Sequence, residues 1–276
     1  MPSNLTTSLL DAAKRYDIRL LGAPRETAWS ALSAGEYNGR EVYIKVLSAH
    51  SDERLAPALL NAWHDGPVVR VIEASDSVHI LERVIPGTTL EAHYDKLGDE
   101  KCLAVLGTIA SALRRIAAKN TGFPDERVRG KSLLIRARPA SIDEDLWEKG
   151  RRCYSALADS QRDACVTHGD LHHDNILWDD TRGWLAIDPK GVIAELEFEM
   201  ACALRNPISR VDQWAIPAKL EKRIQLLAPT LGLCEERLLG WSFAQSVLAA
   251  AWEVEDALDP TPWIAVARAF DSLRGA

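Results

Sequence analysis

The sequence predicts an α+β protein with two lobes, a small antiparallel-sheet N-lobe over residues 1–83 and a larger, mainly helical C-lobe over residues 84–276. Two observations support this prediction. In the first lobe, short runs of alternating apolar residues are separated by turn-forming residues, which is typical of antiparallel strands. From residue 99 onward, apolar residues recur every three or four positions, which is typical of amphipathic helices. Hydrophobic residues make up 47% of the 276 residues, enough for a core in each lobe.

The N-lobe elements follow from local turn and cap signals. Asn38-Gly39 is a strong two-residue hairpin signal, and Ser51 is a plausible helix cap. We expect the following order: a helix at about 5–16, strands at Asp17–Gly22, Glu26–Ala34 and Arg40–Leu47, a helix at Ser51–Trp63, and a hairpin of Pro67–Glu73 with Ser77–Val84. Pro86-Gly87 then ends the strand pattern.

In the C-lobe, helical periodicity alternates with two short apolar runs. Ser141 and Glu144 form a capping-box pattern at the start of one helix, and Pro207 ends another. The expected order is a helix at 99–120, a polar loop at 121–140, a helix from the capping box to Ala158, strands at Asn175–Trp178 and Trp184–Asp188, and helices at 196–206, 217–231, 235–258 and 261–273.

The most informative stretch reads H-G-D-x-x-x-x-N from His168 to Asn175, and Asp188 follows thirteen residues after Asn175. Phosphoryl transfer to a hydroxyl requires one carboxylate that receives a proton. It also requires an amide oxygen and a second carboxylate that hold Mg²⁺. Asp170, Asn175 and Asp188 supply these groups with a suitable spacing. Each fragment alone also fits an ordinary turn or strand, so the joint pattern is the specific signal.

Three segments carry a resemblance to a known family. They are HGDLHHDNILW at 168–178, GWLAIDPKG at 183–191 and LRNP at 204–207. This pattern is similar to that of the aminoglycoside and hydroxyurea phosphotransferases, particularly the streptomycin 6-kinase branch. The resemblance implies a protein-kinase-like fold and an ATP- and Mg²⁺-dependent O-phosphotransferase. The D-P-K-G form of the second motif departs from the D-F-G of eukaryotic protein kinases.

The resemblance also implies roles for individual residues. Asp170 would orient the acceptor hydroxyl and take its proton, and Asn175 and Asp188 would hold Mg²⁺. Lys45, in the strand Arg40–Leu47, would neutralise the nucleotide phosphates, although a strand lysine can also be a solvated edge residue. Glu53 would pair with Lys45; the alternative is that Glu53 only complements a helix dipole.

The adenine and phosphate contacts are less marked in the sequence. By resemblance to the kinase hinge, Leu81 is the gatekeeper, Glu82 offers its carbonyl and Val84 its N–H; the alternative is a plain last strand. No G-x-G-x-x-G occurs between residues 22 and 35. Antibiotic kinases similarly cover the phosphates with a Gly-poor turn that contains Ser or Thr, so the resemblance implies that Thr27 or Ser30 donates to the phosphates.

Three further features allow two interpretations each. Lys190 either touches a phosphate or pairs with a site carboxylate, or else is an exposed loop lysine. Glu199 is expected to bond back to the catalytic-loop backbone. An acidic run near the C-terminus is either a solvated helix end or, as in antibiotic kinases, a receptor for a cationic substrate through Glu255 and Asp256. Its members are Glu253, Glu255, Asp256 and Asp259.

Composition limits the partners. The net charge is −7 and no basic tract is present, so neither nucleic acid nor an anionic membrane surface is expected. The expected partner is a small-molecule substrate, and the acidity of the protein would suit a cationic one. No obligate protein partner is evident. The five cysteines show no paired spacing, and the N-terminus does not resemble a signal peptide. A cytoplasmic location is therefore expected.

The sequence thus predicts a kinase that phosphorylates a hydroxyl of an aminoglycoside such as streptomycin. Two alternatives stay open. One is a kinase of an unrelated small cytosolic alcohol. The other is a pseudokinase that binds a nucleotide without turnover.

Overall fold

The computed structural model of the protein describes residues 5–118 and 122–275. It divides into two compact units. The first contains the chain up to Thr88 together with Leu177–Lys190, and the second contains Thr89–Ile176 and the chain from Gly191 onward. This division differs from the sequence boundary after residue 83 because the segment 177–190 forms a hairpin that pairs within the first unit. Both units are described separately below.

Strands and helices are numbered in chain order. The strands are β1 (Arg19–Leu20), β2 (Arg25–Glu26), β3 (Ser30–Tyr37), β4 (Arg40–Leu47), β5 (Val71–Ala74), β6 (Val78–Glu82), β7 (Pro86–Thr89), β8 (Cys165–Thr167), β9 (Ile176–Asp179), β10 (Gly183–Ala186) and β11 (Val192–Ala194). The helices are α1 (Leu5–Arg15), α2 (Ala56–Ala62), α3 (Tyr94–Leu97), α4 (Asp99–Leu113), α5 (Glu126–Arg129), α6 (Lys131–Leu134), α7 (Glu144–Asp159), α8 (Leu196–Leu204), α9 (Val211–Trp214), α10 (Pro217–Leu231), α11 (Glu235–Glu255) and α12 (Thr261–Arg274).

The first unit is built on an antiparallel sheet in the order β1-β3-β4-β6-β5, with β2 also paired to β3. The hairpin between β3 and β4 turns at Asn38 and Gly39, both with positive φ, as the predicted two-residue turn requires. Alternate residues of β4, Val42, Ile44 and Val46, are buried in one core cluster with apolar residues of α1. The opposite face of β4 carries Lys45. The central strand therefore presents its lysine on the face that α1 does not cover.

A second sheet in this unit has the order β10-β9-β7. The sequence reading of Pro86-Gly87 as the end of the strand pattern was wrong, because β7 begins at Pro86. Proline at the first residue of an edge strand removes no internal hydrogen bond. Val68 forms a parallel bridge with Ala186 of β10, so the stretch leading to Asp188 is attached to the first unit.

Several helix boundaries differ from the predictions because the cap residues were misidentified. Helix α2 begins at Ala56, and Ser51 accepts the backbone N–H of Glu53 instead of capping a helix. Helix α7 is capped by Asp143, whose carboxylate accepts the N–H of Leu146, and not by Ser141. The predicted loop at 121–140 contains α5 and α6, and α4 ends at Leu113. The last residues of that predicted helix, 119–120, lie outside the described residues.

The second unit is mainly helical, and α11 is almost entirely buried from Leu238 to Ala251. Within this core the Glu195 carboxylate accepts hydrogen bonds from Arg237 and from the indole of Trp241. A buried charge that is paired in this way costs little to bury. Helix and antiparallel strand together confirm the predicted α+β class. Among the helices of the described residues, none has the length and apolar composition of a membrane span.

Candidate active site

The first unit contains a buried cluster of charged side chains around Lys45. The Lys45 side chain is 8% exposed, and its ammonium lies 2.9 Å from Oδ2 of Asp188 and in contact with Oε2 of Glu53. Lys45 and Glu53 are thus brought together, as the sequence interpretation expected. The alternative of a solvated edge lysine does not apply, because β4 is an internal strand and the ammonium is buried.

The two carboxylates determine the charge of this lysine. Burial lowers the pKa of Lys45, but the negative charges of Asp188 and Glu53 more than offset burial, and the net effect is a raised pKa. His79 lies opposite Lys45 in the β4–β6 ladder. Burial, followed by the Lys45 charge, lowers the pKa of His79 to about 4. At neutral pH this face therefore carries a charged lysine beside a neutral histidine.

Lys190 joins the same cluster from the other side of Glu53. Its ammonium lies 2.7 Å from Oε1 of Glu53 and 3.0 Å from Oδ1 of Asp52. Of the interpretations open from sequence, the structure shows the pairing with a carboxylate. Glu53 is therefore shared by two lysines that come from different segments of the chain.

Asp188 occupies an unusual backbone conformation. Strand β10 ends at Ala186, two residues earlier than the sequence suggested. Asp188 then adopts φ of 54°, a left-handed conformation that costs a non-glycine residue free energy and that clusters at functional sites. The turn places the Asp188 carboxylate against Lys45, and the Asp188 side chain is 28% exposed. A carboxylate that is partly open to solvent can also accept a ligand.

In the second unit the loop from His168 to Asn175 is held by buried hydrogen bonds. The Gly169 N–H donates to Oε2 of Glu199 at 2.8 Å, which is the backbone contact expected of Glu199. Gly169 has φ of 79°, and a Cβ there would lie 2.6 Å from Cγ2 of Val192. The amide nitrogen of Asn175 donates to the backbone carbonyl of Asp170 at 2.9 Å. The spacing of the motif therefore closes a compact loop.

Glu199 is a buried acid beneath that loop. Burial raises its pKa to about 7, although the Gly169 N–H acts in the opposite direction. Its Oε1 has no hydrogen-bond partner among the described residues. Glu199 therefore has a pKa near neutral, and it contacts the backbone of the loop from His168 to Asn175.

The carboxylate of Asp170 has neighbours that the sequence did not indicate. The guanidinium of Arg129 lies 4.0 Å from its Oδ1 and stacks on the ring of Trp252. The Cys202 thiol donates to the same oxygen at 3.7 Å, and burial raises the pKa of Cys202 to about 12, which keeps it a thiol. Arg129 falls in the stretch predicted to be a loop, far from Asp170 in sequence, and no local pattern marked it.

The predicted adenine and phosphate contacts lie in the first unit. Glu82 ends β6, and its side chain pairs with Arg182 and accepts the N–H of Arg70. Val84 is buried, as is Leu81. The hydroxyl of Thr27 accepts the N–H of Ser30 at 3.0 Å and closes its own turn. The roles of these residues toward a nucleotide stay predictions.

The acidic run lies at the end of α11 and already has partners within the chain. Glu253 accepts the indole N–H of Trp263, Glu255 lies 2.9 Å from Arg136, and Asp259 accepts the N–H of Thr261. Asp256 is the exposed residue that ends the helix. These contacts do not test whether Glu255 and Asp256 bind a substrate.

The donor set suits Mg²⁺. Within residues 5–118 and 122–275, no group of three or more His, Cys, Asp or Glu side chains could hold a metal. Mg²⁺ in nucleotide enzymes uses one or two protein oxygens and completes its shell with phosphates and water. Asp188 offers a carboxylate, and Asn175 offers an amide oxygen because its nitrogen is used by the Asp170 carbonyl. By its chemistry each of these residues, Asp188 in the first unit and Asn175 in the second, therefore suits Mg²⁺.

Comparison with known proteins identifies the family. Residues 21–257 match the model of the aminoglycoside/hydroxyurea antibiotic resistance kinases. The chain belongs to this family. It is 30% identical to a streptomycin 3″-kinase of Klebsiella pneumoniae over 226 residues, which cover 80% of this chain and 84% of that enzyme. It is 27% identical to a streptomycin 6-kinase of Streptomyces griseus, over 80% of this chain and 73% of the other.

A solved structure gives the same fold. The choline kinase LicA of Streptococcus pneumoniae superposes with a TM-score of 0.65 at 14% identity, covering 98% of this chain and 100% of LicA. The predicted protein-kinase-like fold and the predicted family are confirmed. The chain is a phosphotransferase by membership of this family.

Proposed function

We propose that this phosphotransferase uses ATP and Mg²⁺ to phosphorylate a hydroxyl group of an aminoglycoside such as streptomycin, in the cytoplasm. The observation that carries the proposal is the contact of Lys45 with both Glu53 and Asp188. A strand lysine held by a glutamate, beside a carboxylate that can bind metal, is the arrangement that nucleotide phosphates require in kinases.

The proposed roles follow from the chemistry of each side chain. Lys45 neutralises the phosphates, and Asn175 and Asp188 provide oxygen ligands for the magnesium ion. The bound ion would offset the charge on the phosphate oxygens during transfer. Asp170 orients the acceptor hydroxyl and receives its proton. The hydrogen bond from Asn175 to the Asp170 carbonyl supports this assignment, because it fixes the loop that carries both residues.

The rest of the nucleotide would contact two further segments of the first unit. The carbonyl of Glu82 and the N–H of Val84 would bind adenine. The turn that Thr27 and Ser30 form would cover the phosphates, and its hydrogen bonds support a fixed shape for that turn.

Similarity to streptomycin kinases supports an aminoglycoside acceptor. The net charge of −7 is favourable for a polycation. We propose that Glu255 and Asp256 bind its cationic groups. Glu255 would then exchange its partner Arg136 for a group of the substrate, since Arg136 is largely exposed.

A kinase of a small neutral alcohol is the second candidate, and a specific observation favours it. The Arg129 guanidinium already lies 4.0 Å from the Asp170 carboxylate. The positive charge of Arg129 would repel a cationic group of the substrate that lies close to the reacting hydroxyl.

A screen for acceptor-dependent ADP release tests the proposal. The purified protein with MgATP would be offered streptomycin, other aminoglycosides, and common polyols and small alcohols, with Asp188→Asn as the inactive control. Release of ADP with aminoglycosides, and with none of the other acceptors, supports the first candidate. Release only with a small alcohol supports the second. Binding of MgATP without ADP release in any mixture would contradict both and leave the pseudokinase alternative.

A further inference from the structure

Lys190 lies two residues after Asp188 and has none of the roles proposed above. We propose that Lys190 is a positioning residue for nucleotide binding. It holds Glu53 against Lys45 and balances the charge of the carboxylates around Lys45. This inference rests on the proposed function, because it concerns the same nucleotide.

The position of Glu53 explains why a second holder is needed. Glu53 lies in the turn before α2, and that helix spans only seven residues and has no side-chain cap. A glutamate within a long helix is placed by the helix itself, whereas one in a turn depends on the contacts of its side chain. The backbone N–H of Glu53 donates to the Ser51 hydroxyl, at a long distance of 3.3 Å. The orientation of the carboxylate is therefore fixed by its two lysines.

The two lysines hold opposite oxygens of this carboxylate. Lys190 contacts Oε1 at 2.7 Å, and Lys45 contacts Oε2. The Glu53 and Lys190 side chains are only 12% and 13% exposed, so solvent does not screen the pair strongly. Removing one partner of a largely buried ion pair leaves the other poorly solvated. Without Lys190, the Glu53 carboxylate loses the contact that keeps it in place.

Charge balance gives the second reason. Lys45, Glu53 and Asp188 together are one ammonium and two carboxylates, which leaves one negative charge in excess. His79 does not compensate, because it is neutral at pH 7. Lys190 supplies the second ammonium. Asp52 also contacts Lys190, but its side chain is about half exposed, so water and salt screen its charge. Lys190 thereby removes a local repulsion that a polyanionic triphosphate would meet.

Lys190 could instead touch the nucleotide directly or serve only stability. Two substitutions test whether the charge of Lys190 matters for nucleotide binding, and a comparison in a Glu53→Gln background separates direct contact from positioning. Lys190→Met removes the charge and keeps most of the side-chain length, whereas Lys190→Arg keeps the charge. Lys149→Met is a matched control, because Lys149 is also held by two carboxylates, Asp145 and Asp271.

The experiment is isothermal titration calorimetry of each purified variant with AMP-PNP and Mg²⁺. We expect Lys190→Met to raise the dissociation constant about ten-fold, which corresponds to about 1.4 kcal/mol. Lys190→Arg should restore most of the affinity, and Lys149→Met should leave it unchanged. Thermal denaturation of each variant checks folding. If Lys190→Met does not fold, Lys190→Gln, which keeps a donor toward Glu53 but removes the charge, takes its place.

A double-mutant comparison with Glu53→Gln decides how Lys190 acts. If Lys190 acts through Glu53, its replacement should have a much smaller effect in the Glu53→Gln background than in the wild type. An equal loss in both backgrounds would mean direct contact with the nucleotide and would overturn the positioning role. Equal affinity of wild type and Lys190→Met would overturn it as well, while leaving the proposed function intact. A wild-type protein that does not bind the nucleotide would instead refute the proposed function itself.

Discussion

The two units hold the side chains that we propose to be functional by different forces. In the first unit, Lys45 and Asp188 are held by opposite charges within a cluster. In the second unit, Asp170 and Asn175 sit on a loop that is held by hydrogen bonds to backbone groups, one of which reaches the buried Glu199. The difference matters because the charge of a bound ligand acts directly on charge pairs, whereas it acts more weakly on hydrogen bonds to neutral backbone groups.

This contrast suggests that substitutions in the two units should have different kinetic consequences. Changes in the charge cluster should alter the affinity for the nucleotide and its metal. Replacement of Asp170 should alter turnover, and replacement of Glu199 should alter stability and its pH dependence.

Asp188→Asn should remove metal-dependent turnover, with a loss of about three orders of magnitude or more, because a neutral amide is a weaker Mg²⁺ ligand than a carboxylate. Since Asn is nearly isosteric, the fold should be kept. Steady-state ADP release at several Mg²⁺ concentrations measures the effect. Asp180→Asn, at the tip of the same hairpin, is the control and should retain activity. Undiminished activity of Asp188→Asn at ordinary Mg²⁺ would remove the metal role and with it the comparison between the units.

Asp170→Ala should lower kcat by roughly two to four orders of magnitude, as loss of a general base commonly does. The affinity for MgATP should change little, because Asp170 is assigned to the acceptor. Turnover assays and calorimetry on the same preparation measure both quantities. A collapse of nucleotide binding in this variant would show that Asp170 has a structural or metal-binding role, and the assignment of Asp170 to the acceptor would be wrong.

Glu199→Gln should change the pH dependence of stability. The pKa of Glu199 is raised to about 7 from an ordinary value of 4.5. The protonated Glu199 therefore gives its full contribution to the free energy of unfolding below pH 4.5. This contribution is lost as the pH rises through about 7, because the buried carboxyl group must then ionise. This difference corresponds to about 3 kcal/mol, at about 1.4 kcal/mol for each pH unit. Glutamine stays neutral, so the variant should lack this loss.

Urea denaturation at pH 5 and pH 8 tests this expectation. The unfolding free energy of the wild type should fall more between the two pH values than that of Glu199→Gln. Glu100→Gln, an exposed glutamate on α4, should behave as the wild type. Parallel pH profiles for wild type and Glu199→Gln would mean that the loop does not sit on a titrating group.

Local sequence signals were sufficient for much of this structure and failed in specific places. The spacing of Asp170, Asn175 and Asp188 and the alternation in β4 depend on neighbouring residues, and the resemblance added the family. Helix α2 was predicted to begin at Ser51 because a serine before an apolar stretch looks like a cap, although its hydroxyl serves a turn instead.

Contacts between residues distant in sequence left no local pattern. Arg129 reaches Asp170 only because the chain folds α5 back toward the catalytic loop, and Lys190 reaches Glu53 across more than a hundred residues. The sharing of Glu53 by two lysines could not be read from spacing, since each lysine alone is an ordinary charged residue. Tertiary structure, and not propensity, decides such pairs.

The smallest effect is expected at the acidic end of α11, where Glu255 and Asp256 are proposed to bind a cationic acceptor. Exposed charge pairs are individually worth only about 0–1 kcal/mol, but two carboxylates acting on one guanidinium add bidentate hydrogen bonds. The double variant Glu255→Gln/Asp256→Asn should then raise the acceptor KM roughly ten-fold, which corresponds to about 1.4 kcal/mol. The KM for ATP should stay constant, and the effect should shrink with added salt.

The matching control lies on the same helix. Glu235→Gln/Glu236→Gln removes the same charge at the opposite end of α11, so a general electrostatic effect of net charge would appear in both variants. Streptomycin, or the acceptor found by the ADP-release screen, serves as substrate at low and high salt. Because Glu255 is already paired with Arg136, a cationic substrate must compete with that arginine. An unchanged acceptor KM would therefore mean that Glu255 and Asp256 do not bind the acceptor, and that this acidic run is a helix end in which Glu255 serves only to pair with Arg136.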